Sequence, residues 1–87
     1  MFDYTDLRAK IKEVYGTEQN FAKALEIGRV ALSQKLNNDS DFTRKQMLKA
    51  AELLGFGVDE IPHYFFTERY RNMNLIPQID PESVIGI

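Results

Sequence analysis

Residues 20–38 read NFAKALEIGRVALSQKLNN, two short apolar stripes at helical spacing with only LEIG, residues 25–28, between them. So short a connection forces the two helices to meet at a sharp corner and to share one core. The first helix must present a small residue where the second passes it, and Ala22 is placed for that. Apolar residues must pin both helices and the turn; Phe21, Leu25, Ile27 and Leu32 have the spacing. The turn needs one residue of positive φ, where glycine is least costly, and that place falls to Glu26. Gly28 stands two positions later, where a hydroxyl cap is usual. A left-handed glutamate costs about 1 kcal/mol, which a good core offsets.

Other helices flank this corner. Leu7, Ile11, Val14 and Tyr15 recur at helical spacing, with Asp3 and Thr5 available as caps and Gly16 as the stop. Thr17 caps the second helix, whose inward residues are Phe21, Ala22 and Leu25; the third runs from Arg29 to Leu36, anchored by Leu32 and Leu36. NNDSD, residues 37–41, has strong turn character. FTRKQM then marks the best-defined start in the chain: Thr43 at the N-cap, Gln46 three residues on for a capping box, and Phe42 against Met47 as a hydrophobic staple. Met47, Ala50, Ala51 and Leu54 form the buried stripe of this fourth helix, which Gly55 ends. A short fifth helix, capped near Asp59, takes in Ile61, Pro62 and Tyr64. Tyr64, Phe65 and Phe66 close the core, with an exposed docking patch as the lesser alternative. From Thr67 the helical period stops, yet Leu75, Ile76, Ile79, Val84, Ile85 and Ile87 remain. The expectation is an all-α protein: a compact five-helix domain over residues 1–66 and an extended C-terminal arm over 67–87. That arm is expected to pair with a second copy in a homodimer, the alternatives being that it folds back on its own domain or meets a protein partner.

An 87-residue chain supports one domain of about 60–75 residues plus a tail. There is no cysteine and one histidine, His63, which removes disulfides, thiolate chemistry and most zinc sites. His63 itself reads as a surface or half-buried residue. Asp59 and Glu60 are helix-start charges rather than a catalytic pair. No set of nucleophile, base and oxyanion donors emerges, so neither an enzyme nor a cofactor is expected. The start, MFDYTDLRAK, is too polar for a signal peptide, and no segment is apolar over the roughly 20 residues of a membrane span. A cytoplasmic protein of a bacterial host cell, without a membrane partner, is expected. Net charge is −2 and unevenly placed: residues 1–55 carry nine basic against eight acidic groups, residues 56–87 two against five. A near-neutral body of this kind binds polyanions only weakly without specific contacts.

The corner fixes the outward face of the third helix. With Leu32 and Leu36 inward, Arg29, Val30, Ser33 and Gln34 point away from the core. These types suit a major groove: arginine grips guanine O6 and N7, glutamine grips adenine N6 and N7, and valine touches a thymine methyl. Around them, phosphate contacts are expected from Gln19, Asn20, Lys35, Asn37, Asn38, Ser40, Arg44 and Lys45, since helix N-termini and polar loops suit phosphate oxygens.

FDYTDLRAKIKEVYGTEQNFAKALEIGRVALSQKLNN followed by FTRKQMLKAAELLGFGVDEIPHYFF resembles the small Cro-like and repressor-like helix-turn-helix proteins of temperate phages of Gram-positive bacteria. The resemblance covers roughly residues 2–66 and rests most on the spacing of NFAKAL and LSQKLNN and on EIPHYFF. It implies a five-helix domain of the lambda-repressor-like class that binds operator DNA as a dimer and regulates the choice between lysis and lysogeny. It also implies base reading by Arg29, Val30, Ser33 and Gln34. Glu26 and Gly28 depart from that pattern, which commonly has glycine and a hydroxyl residue there. The leading expectation is thus a sequence-specific transcriptional regulator that reads a double-stranded operator with helix 3. The alternative is a protein-interaction module, such as an antirepressor, that keeps the helical fold but binds another regulator.

Overall fold

The computed structural model describes residues 1–68. Five α-helices follow one another: α1 (Thr5–Tyr15), α2 (Glu18–Leu25), α3 (Arg29–Leu36), α4 (Arg44–Leu54) and α5 (Ile61–Phe65), the last entered through a 3-10 turn at Val58–Glu60. Among the described residues the only extended pairing is an isolated antiparallel bridge between Phe2 and Glu68. The all-α, five-helix expectation is met. No helix among them is long and apolar enough to cross a membrane.

Local chemistry sets most of the boundaries. Asp3 accepts hydrogen bonds from the Thr5 amide and hydroxyl at 2.9 and 2.6 Å, so the helix-start group lies two residues before α1. Thr17 accepts from the Asn20 amide at 3.1 Å and opens α2. Thr43 and Gln46 make a reciprocal capping box, the Thr43 amide donating to Oε1 at 2.9 Å and the Gln46 amide to Oγ1 at 3.0 Å.

Three helices end in the same way. After α2 the Ile27 amide reaches back to the Ala22 carbonyl and the Glu26 amide to Lys23. After α3 the Asp39 amide reaches Gln34 and the Asn38 amide Lys35. After α4 the Phe56 amide reaches Ala51. This closure satisfies terminal carbonyls and requires a left-handed residue just past the helix. Glu26, Asn38 and Gly55 supply it, with φ of 66°, 66° and 81°. Glu26 therefore has the positive φ its place in the corner required.

The core runs through the whole body. Phe21, Phe65, Leu7, Ile11 and Leu32 are its largest fully buried side chains, joined by Ala22, Leu25, Leu36, Ala50, Ala51 and Leu54. Val14, read as part of the α1 stripe, is instead 46% exposed. Tyr4, just before the helix, is buried as well and meets Phe42 edge-on at 5.6 Å. Phe42 in turn meets Phe65 at 5.0 Å, tying the entry of α4 to α5. Thr67 and Glu68 turn back onto the N-terminus: the Asp3 amide donates to the Thr67 carbonyl at 2.7 Å. The arm expected over residues 67–87, and the dimer expected through it, otherwise lie outside the described residues.

Candidate functional site

Helices α2 and α3 form the corner foreseen from the sequence, and a groove of about 570 Å³ lies along it. Its walls are Thr17, Glu18 and Gln19 from the start of α2 and Arg29, Val30, Ser33 and Gln34 from α3. The four residues nominated on helix 3 thus share one surface. Val30 stands 67% exposed in it, the single apolar residue among six polar or charged ones.

Four of the eight residues nominated for phosphate have other engagements. Asn20 donates its side-chain amide to the Tyr15 carbonyl at the end of α1, at 3.0 Å. Lys35 donates to the Asp41 carbonyl at 2.8 Å and so braces the loop before α4. Asn37 accepts from Arg8 at 3.1 Å, while the same guanidinium pairs with Glu18; one arginine of α1 clasps both helices of the corner. Asn38 holds the N-terminal segment like a strand, its amide oxygen accepting from Phe2 N and its amide nitrogen donating to Phe2 O, both at 2.9 Å. Gln19, Ser40, Arg44 and Lys45 remain on the surface. Lys45 faces a different, smaller recess, beside Glu26 and Lys49.

A second groove was not singled out from the sequence. It measures about 280 Å³ and is lined by Phe2, Tyr4, Asp41, Phe42, Met47, Phe65 and Phe66. Phe2 and Phe66 meet edge-to-face at 5.7 Å and form one wall. Phe66 is 47% exposed although Phe65 beside it is fully buried, so the aromatic run both closes the core and reaches out of it. Asp41 is the one charged side chain of the groove. Burial, and after it the Asp41 carboxylate, raises the Tyr4 phenol above its ordinary value. The clue in the sequence was three consecutive aromatics at 64–66, more than a five-residue helix can bury.

A family profile described as "Protein of unknown function (DUF739)" matches residues 1–68, the described body of the chain. The chain belongs to the DUF739 family. No curated protein matches it. Among solved structures, it is similar to the modulator of repression (MOR) of the temperate bacteriophage TP901-1 from Lactococcus lactis, determined in solution. Identity is 38%, the TM-score is 0.67, and the match covers 75% of this chain and 88% of that one.

This likeness overturns the leading expectation of an operator-reading repressor. A DUF739 chain resembling a modulator of repression across nearly all of that protein fits the alternative, a module that acts on another regulator. The physical reason the sequence misled is plain: a helical corner is a scaffold before it is a DNA reader. Here Asn20, Lys35, Asn37 and Asn38 are spent on bracing the body. The Cro-like and repressor-like family is replaced by DUF739, and what stands of that resemblance is the likeness to a small protein of a temperate phage.

Proposed function

We propose that this DUF739 protein modulates repression in a temperate phage by binding a repressor protein and lowering its hold on the operator. The observation that carries this reading is the 38% identity to a phage modulator of repression over 88% of that chain. Of the two grooves, the aromatic one is the better anchor for a protein partner. Protein interfaces draw most of their affinity from a few aromatic or arginine side chains at a desolvated centre. Phe2 and Phe66 offer such a centre above the buried Phe42, with Met47 as an adaptable side chain at its edge. The α2–α3 groove is larger but has only Val30 to desolvate. Its Arg29, Ser33, Gln34 and Gln19 suit a polar contact surface for the same class of partner. The action is binding alone, in the host cytoplasm where repressor and operator meet.

The test is a preformed complex of the phage's repressor with a fluorescent operator duplex, followed by anisotropy as the protein is added. Release of the operator at stoichiometric protein is the expected result. An unchanged complex, at protein concentrations well above that of the repressor, overturns the reading.

A further inference from the structure

The aromatic groove lies where the described chain ends. Phe66 forms its wall, Thr67 accepts from Asp3, and Glu68 bridges Phe2, whose ring is the other half of that wall. The chain continues for nineteen residues, RYRNMNLIPQIDPESVIGI, which fall outside the family match at residues 1–68. Those residues begin with Arg69 and Arg71 and carry Leu75, Ile76 and Ile79 within a few positions. We propose that the segment Leu75–Ile79 of this same chain occupies the aromatic groove when no partner is bound, and that a partner must displace it.

Reach, charge and apolar surface agree on this occupant. Leu75 is seven residues beyond Glu68, and an extended chain spans up to about 3.6 Å per residue, so roughly 25 Å is available. That is ample for a groove whose wall adjoins the point of departure. Asp41 makes no ion pair among the described residues, and the segment brings two arginines ahead of its aliphatics. The groove has room for a pair of aliphatic side chains, the size of a Leu-Ile step. Pro77, just after that step, restricts the backbone and lowers the entropy lost on docking. A tethered segment this close is presented at an effective concentration on the order of mM, so even a weak contact fills the groove.

The regulatory consequence rests on the proposed repressor binding; the docking does not. A groove filled about nine-tenths of the time lowers a competing partner's apparent affinity about tenfold. The chain has no cysteine, so a spin label on Ser83→Cys reports from one place only. With the full-length labelled protein alone, paramagnetic broadening is expected at the amides of Phe2, Tyr4, Phe42, Met47 and Phe66. It should vanish when Leu75→Asp and Ile76→Asp are added to the same chain. Broadening no greater there than at Lys12 and Lys23, which do not line the groove, overturns the proposal. So does broadening found only on unlabelled, isotope-enriched copies mixed with labelled ones, which places the segment on a second molecule. Because no repressor is present, this result stands apart from the operator-release assay. If both readings hold, the Leu75→Asp, Ile76→Asp chain binds repressor roughly tenfold more tightly than the native one.

Discussion

Glu26 and Asn38 are the residues on which the shape of the body turns. Both sit at φ 66° just past a helix, and the side chain of each makes a further contact. Glu26 pairs with Lys49 at 3.3 Å, and Asn38 clamps Phe2. The Glu26 pair is exposed and contributes about 0–1 kcal/mol, comparable to the strain it accompanies. Glu26→Gly is therefore expected to leave thermal stability equal or higher, whereas Glu26→Val, β-branched in a left-handed position, should lower it by about 1–2 kcal/mol. Asn38→Ala loses both clamp bonds and the favourable left-handed residue. A loss of about 2 kcal/mol is expected, with faster amide exchange at residues 2–4 as the local sign. Tyr4 gives the body an alkaline limit. Its raised pKa means that the folded state holds the phenolic proton more tightly than the unfolded chain. That contribution is complete below pH 10 and is lost as pH rises through the folded value. Urea titrations above pH 10 should show a smaller fall in stability for Tyr4→Phe than for the native protein. The demand on Glu26 was legible because the LEIG connection left no other residue to turn on. The role of Asn38 was not, because a polar loop residue looks the same whether it meets solvent, phosphate or backbone.

At the scale of elements, caps and stripes carried the reading. Thr17, Thr43, Gln46, Gly16 and Gly55 act locally, so their spacing alone places the ends of α1, α2 and α4. Thr43→Ala breaks the capping box and should cost about 1 kcal/mol, a Tm shift of roughly 4–8 °C for a domain of this size. Circular dichroism melting checks it. Burial followed the helical period except at Val14, in the last turn of α1, which is 46% exposed. The aromatic groove was less legible than the corner. It is assembled from Phe2, Phe42 and Phe66, which are far apart in sequence and meet only once α4 and α5 have closed over α1.

At the scale of the molecule, the corner of α2 and α3 proved a weak guide to function. Its shape is set by Ala22, Glu26 and Leu32, residues that any such corner needs whatever its outer face touches. Arg29 and Gln34 stand outside it, but Asn20, Lys35, Asn37 and Asn38 hold the body together. The partner proposed is instead a protein, a reading supported by the likeness to a modulator of repression and by the half-exposed Phe66 of the aromatic groove. Phe66 is the residue to change, since it is half-exposed and its loss leaves the buried Phe65 in place. The most direct measurement is calorimetric titration of the phage's purified repressor with the native protein and with Phe66→Asp. Saturable binding by the native chain and at least tenfold weaker binding by Phe66→Asp, with both chains melting alike, is the predicted result. Equal binding by the two would place the interface elsewhere, and no binding by either would contradict the account at its centre.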